Sequence, residues 1–387
     1  MRIFGSDASN GSDGSDGQPP RVLLDFGDVE HDLAGGKDLR TGLSAAARVG
    51  RNLFVAADEG TALERLSTDD GTHFHGHATF ALDELLDLPS GTGEEVDVEG
   101  MDYREPYLWI VGSHSLKRSK PDPDTDDPAG EIEKLAEIET EENRYLLARI
   151  PLERDPETGE HTPRRSCPDP ADPEWTLTAA RVKGEGPKSQ LLKALAKDPH
   201  LGPFGGIPGK DNGLDVEGLA VAGERVFLGL RGPVLRGWAT ILEVEPKTKK
   251  KDPSRLKLRK IGPGGARFRK HFVDLGGLGI RELAADGADL LILAGPTLDM
   301  DGPVTLFRWT GGCEPDEQEL VGRDRIRKVM DVPYGQGEDA GKDHAEGIAL
   351  FRDPGRPAGL LVVYDSPVEG RMASGGRVYA DLFPLPG

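Results

Sequence analysis

Apolar residues gather in short runs along this chain, and the runs come in pairs. The clearest pair is Asp215-Val216-Glu217-Gly218-Leu219-Ala220-Val221 followed by Glu224-Arg225-Val226-Phe227-Leu228-Gly229-Leu230-Arg231. An acidic lead-in, a short apolar run, a tight turn and a second apolar run ending on a charge predict two antiparallel strands. The phrase recurs. Asp97-Val98-Glu99-Gly100-Met101 runs into Leu108-Trp109-Ile110-Val111-Gly112-Ser113-His114, and His344-Ala345-Glu346-Gly347-Ile348 into Leu360-Leu361-Val362-Val363-Tyr364-Asp365. Gly279-Ile280-Arg281-Glu282-Leu283 and Leu43-Ser44-Ala45-Ala46-Ala47 open two more copies. Aligned on Glu217, the copies place Ser44, Glu99, Arg281 and Glu346 at the same position, 55, 118, 64 and 65 residues apart in chain order. Strand repeats of this length predict an all-β fold, a β-propeller.

The remaining apolar runs supply outer strands. The first copy adds 62–67 and 79–82, the second 145–150 and 175–182, the third 239–245 and 272–274, and the fourth 304–309 and 326–332. The fifth adds only 377–383. Arg21-Val22-Leu23-Leu24-Asp25-Phe26 is a spare strand that fits the missing edge, and pairing it there removes an edge open to aggregation. Five four-stranded blades are favoured, closed by this N-terminal strand. A sixth blade inside the 118-residue gap is the rival, disfavoured because the gap holds only two further convincing strands. Residues 1–20, rich in Gly, Ser and Asp, are expected to be a disordered tail. Residues 21–387 then form one domain with insertions at 119–142, helical over 131–138, and at 186–212, helical over 189–196.

Composition narrows the chemistry. The 387 residues are 30% charged, with a net charge of -20. So acidic a chain is not expected to bind nucleic acid through its overall field. There is no apolar signal segment and no run long enough to span a membrane. Cys167 and Cys313 lie in no metal spacing and are expected as free thiols, so a cytoplasmic location is expected.

Three groups of residues, Asp97-Val-Glu-Gly-Met101 with Val111-Gly-Ser-His-Ser-Leu-Lys-Arg118, Asp215-Val-Glu-Gly-Leu219 with Gly229–Trp238, and His344-Ala-Glu-Gly-Ile348 with Val362-Val-Tyr-Asp-Ser366, resemble the bacterial family known as domain of unknown function 3616, over roughly residues 40–385. That resemblance brings no activity with it. A weaker likeness runs to phytase-like and gluconolactonase-type propellers, which use a metal in the central channel.

In a propeller the first strand of each repeat lines the channel, and the second strand returns to the same mouth. One mouth is therefore expected to gather Glu99, Glu217, Glu346, Asp58 and Asp365 with His114, Arg231 and Arg281. Carboxylates so close need a cation, a proton or an arginine between them. Two readings follow. In one, Glu99, Glu217, Glu346, Asp58 and Asp365 hold Ca2+ or Mg2+, His114 acts as acid or base, and Arg231 and Arg281 orient an anion, giving a metal-assisted hydrolase of an ester, lactone or phosphoester. In the other, which is preferred, the mouth is a non-catalytic scaffold for a small anionic ligand or a protein. Arg118 and Arg236 are further candidates for an anion clamp. His73, His75 and His77 read as a solvated strand edge, and Lys247–Lys251 as an exposed turn.

Overall fold

The computed structural model describes residues 19–27, 37–91, 94–122, 124–298, 300–352, 355 and 357–385. The expected tail therefore lies outside the described residues, apart from its last two positions. The five repeated phrases form the strands Leu43–Val49, Val98–Arg104, Asp215–Ala222, Gly279–Asp286 and His344–Phe351. Each pairs antiparallel with the apolar run that follows it. These five inner strands pack each against the next, and the last against the first, in a closed ring. The second inner strand rests directly on the third, with no other inner strand between them. The sheets radiate outward from this ring as a β-propeller.

The ring is tight because a glycine follows three of the five aligned positions. A Cβ on Gly218 would come within 3.0 Å of Glu282 Cα, and one on Gly347 within 2.9 Å of the Ala45 carbonyl carbon. Gly100 stands against Leu219 in the same way. Backbones can approach this closely only where no side chain intervenes. The Ser44 hydroxyl donates to the Val98 carbonyl at 2.6 Å and joins the first repeat to the second. Buried carboxyl groups bind the third inner strand to its neighbours. Glu282 accepts from the Leu219 amide at 2.8 Å, and Asp102 from the Val221 amide at 2.7 Å. Burial raises the Asp102 carboxyl to about 7 against these amide hydrogen bonds.

The outer strands depart from expectation in the second and third repeats. Residues 175–182 break in two. Thr176–Thr178 turns away to pair with Ser166–Pro168, and only Ala180–Val182 joins the sheet of the second repeat. The Lys-rich turn at 247–251 is the tip of a hairpin, Pro246–Lys249 with Asp252–Leu258, which leaves the third repeat and pairs in parallel with Ala180–Val182. Leu256 and Leu258 are buried on one face of this hairpin while Lys257 faces water. In the insertion 119–142 the helix is Pro128–Lys134, and Ile138–Glu139 is extended, paired with Lys117–Arg118. The second insertion carries the expected helix, Gln190–Leu195. Among the described residues no helix is long and apolar enough to cross a membrane. Cys167 and Cys313 are free and buried.

Arg21–Asp25 fills the edge of the last repeat, pairing antiparallel with Arg377–Pro384 from Arg21↔Asp381 to Asp25↔Arg377. It also pairs in parallel with His73–Ala81 of the first repeat. Val22, Leu24 and Phe26 are buried beneath it. A chain beginning at Gly27 is therefore expected to melt well below one beginning at Pro19, and to aggregate on heating, because two strand edges lose their partner. The single substitution Leu24→Ala should cost about 2–5 kcal/mol in urea unfolding. Equal melting temperatures for the two truncated chains would contradict this closure.

Candidate functional site at the channel mouth

The aligned position carries the site because of a fault in the ladder. In the third repeat Val216 pairs with Leu230 and Gly218 with Gly229, so Glu217 is skipped. The same irregularity falls at Ser44, Glu99 and Arg281, and at Glu346 with Gly347. An unpaired residue in a strand re-aims its side chain. Here the re-aimed side chains converge at one end of the ring. Glu99, Glu217 and Glu346 line a cavity of about 460 Å³ with Asp58, Asp97, Asp215, Arg231 and Asp365. Ten carboxylates and six lysines or arginines line it in all.

The charges alternate around the wall. Glu217 is clamped between Arg231 Nη1 at 2.6 Å and Arg281 Nη1 at 2.9 Å. Arg231 also holds Asp215, and Arg281 reaches Glu346 at 3.4 Å. Lys37 bridges Asp58 at 2.8 Å and Asp365 at 3.4 Å. Arg144 takes Glu95 and Asp97, both at 2.6 Å, and the hydroxyls of Ser113 and Ser115 at 3.1 and 3.0 Å. Burial and the neighbouring Asp365 push Asp58 up to about 7 despite Lys37. Burial would also raise Asp365, but the His344 imidazole and Lys37 outweigh it and hold that carboxyl below its ordinary range.

Glu99 differs from the other glutamates at the aligned position. It stands half-buried in the wall with no ion pair to any described residue. Burial first, then the charges of Asp97, Glu217, Glu346 and Asp215, push its carboxyl well above the usual range. This favours the protonated acid, which can donate a hydrogen bond. A positive charge brought beside it would restore the carboxylate.

Seven of the eight residues expected at the mouth are gathered there. His114 is the exception. Its ring is buried, stacks edge-on to Tyr145 at 6.0 Å, and places Nδ1 2.8 Å from the Gly112 carbonyl. Burial pushes the imidazole down to about 4, and the ring does not line the cavity. It has no place from which to act as acid or base on a group bound there. The carboxylates expected to hold calcium or magnesium are held mainly by guanidinium and ammonium groups instead. Among the described residues no three carboxylate, histidine or cysteine side chains are grouped to hold a metal ion. Arg231 and Arg281 are likewise spent on Glu217 rather than free for an anion. Arg118 pairs with Asp211 at 2.8 Å, and Arg236 is exposed in a hairpin turn. Of the three alternating histidines, His77 meets Glu64 at 2.6 Å.

Asp97 and Asp215 were within reach of sequence reasoning, since each opens the repeated phrase two residues before its aligned Glu. Arg144 and Lys37 were not, because each comes from outside the repeated phrase.

A ring of short antiparallel sheets around a charged channel defines the class as a β-propeller. The chain belongs to the family described as protein of unknown function DUF3616, which it matches over residues 42–381. No curated protein sequence matches it. Among solved structures it is similar to the PQQ-bound aldose sugar dehydrogenase of Streptomyces coelicolor, at 12% identity over 95% of this chain and 99% of that one, with a TM-score of 0.33. It is also similar to the calcium-binding protein regucalcin of Agrobacterium tumefaciens, at 11% identity over 95% and 96%, TM-score 0.34. A putative hydrolase of Bacteroides ovatus follows at 9% identity over 89% and 86%, TM-score 0.36. Likeness at this level carries no argument about activity.

The clamp and the unpaired acid predict opposite responses to the same change. Glu217→Gln leaves two buried guanidinium groups short of a counter-charge and should cost about 3 kcal/mol or more. Glu99→Gln should be neutral or stabilising. Because the Glu99 carboxyl is raised in the folded state, it binds protons more tightly folded than unfolded. Its cost grows as pH rises above the ordinary carboxylate range, until its folded value is passed. The advantage of Glu99→Gln over wild type should therefore grow from pH 5 to pH 8 in urea unfolding. Equal losses for the two variants would contradict this division.

Proposed function

We propose that the protein is a binding scaffold whose channel mouth takes a small polar ligand bearing a positively charged group. Glu99 carries this reading: it is an acid in the wall of a ligand-sized cavity, without the ion pair to a described residue that Asp97, Asp215, Glu217 and Glu346 each have. Pockets of a few hundred Å³ with a few convergent polar groups suit small molecules. The arginines neutralise their own carboxylates, which argues against an anionic ligand at this point. A cytoplasmic location fits the two unbridged cysteines. The alternative, a metal-assisted hydrolase of an ester, lactone or phosphoester, would require Glu217, Glu346, Asp58 and Asp365 to give up their present partners for calcium or magnesium.

Thermal-shift measurements against amines, amino sugars, organic anions, Ca2+ and Mg2+ test the proposal. A cationic ligand should raise the melting temperature by mass action, and Glu99→Gln should abolish the shift. The ligand must displace the Glu99 proton, so binding should tighten as pH rises and release protons detectable by calorimetry in buffers of different ionisation enthalpy. A response to Ca2+ or Mg2+ alone would favour the hydrolase. A response to anions alone would overturn the proposal.

A further inference from the structure

A second concave site lies on the outside of the ring and has the opposite charge. Between the helix Gln190–Leu195 and the turn Pro263–Gly265 runs a groove of about 720 Å³, lined by Lys183, Lys188, Lys193, Lys197 and Arg267. None of the four lysines has an ion pair with a described residue. The groove thus concentrates positive charge in a chain where 68 acidic residues face 48 lysines and arginines. The single carboxylate in the lining, Asp198, is already engaged. Its Oδ2 meets Lys270 Nζ at 2.6 Å, and its Oδ1 accepts from the amides of His200 and Leu201.

The groove is built rather than incidental. Its two walls are fixed to one residue of the hairpin strand Asp252–Leu258. Gln190 Oε1 accepts from the Leu258 amide at 2.9 Å, and Arg267 Nη1 donates to the Leu258 carbonyl at 2.6 Å. Phe268, Leu191 and Leu195 belong to the buried cluster beneath it. Ammonium groups held near one another without counter-charge repel, and a bound polyanion relieves that repulsion.

We infer that this groove binds a compact ligand carrying several phosphate groups. Its size suits a small molecule. A long polyanion such as nucleic acid would have to extend from the groove over a surface of strongly negative net charge, which repels it. The site is separate from the channel mouth and shares no lining residue with it.

Isothermal titration of the full chain with sodium tripolyphosphate tests the inference, with orthophosphate as the singly phosphorylated comparison. Tripolyphosphate should bind the more tightly, and added salt should weaken it. The double substitution Lys193→Glu/Lys197→Glu, at two exposed positions, should weaken it at least about tenfold without lowering the melting temperature. Lys193→Arg/Lys197→Arg should retain binding, and Glu99→Gln at the mouth should leave it unchanged. Absence of binding at millimolar tripolyphosphate, or equal affinity in the charge-reversed variant, would overturn the inference. So would tighter binding of a single-stranded oligonucleotide, which would assign the groove to nucleic acid instead.

Discussion

Charge compensation in a narrow ring is the constraint on which the rest of this structure depends. Each inner strand leaves its residue at the aligned position unpaired in the ladder, together with Gly347 in the fifth. Three of those five are glutamates, brought close by glycines that let the backbones approach. Such a ring is stable only if cations or protons stand between its acids. Arg281, itself a skipped residue, lies between Glu217 and Glu346. Arg231 and Lys37 complete the sequence of alternating charges, and Arg144 extends it to the lead-in acids of the second repeat. The glutamate at the aligned position is thus a structural element of the ring in two repeats. In the second repeat it is an acid with no ion pair to a described residue.

Much of this organisation was legible in the amino-acid order. Paired apolar runs in a recurring phrase located every inner strand, because a strand packed on neighbours through both faces must be nearly continuous in apolar residues. The three-stranded last repeat pointed to Arg21–Asp25 as its missing edge. What escaped was non-local. The hairpin 246–258 has five lysines to two leucines and reads locally as a polar turn, yet it covers the edge of a different sheet. The orientation of His114 depends on the left-handed backbone at that residue, where φ is +54°. Nothing in the local pattern of apolar and polar residues marks that conformation. Arg144 reaches the mouth only because the insertion 119–142 folds back on itself, so no spacing rule places it there. The same phrase that located the carboxylates gave no information on which of them had a cation beside it.

The molecule carries two concave regions of opposite character within one acidic surface. At the mouth, carboxylates exceed cations, and Glu99 has no ion pair with a described residue. On the outer groove, lysines stand without acids. A strongly negative chain repels anions at long range, so an anion reaching the groove does so through short-range contacts, under screening by salt.

The strand Arg21–Asp25 has a further consequence, for the order in which the molecule is made. It touches His73–Ala81 nearby in the chain and Arg377–Pro384 almost a full chain length away. During synthesis the near partner emerges early, so the strand can be docked on the first repeat long before its distant partner exists. The first repeat then presents a prepared edge, and the last repeat has only to add to it. A closure that would otherwise demand the meeting of two distant chain segments becomes the addition of one strand to a sheet already formed.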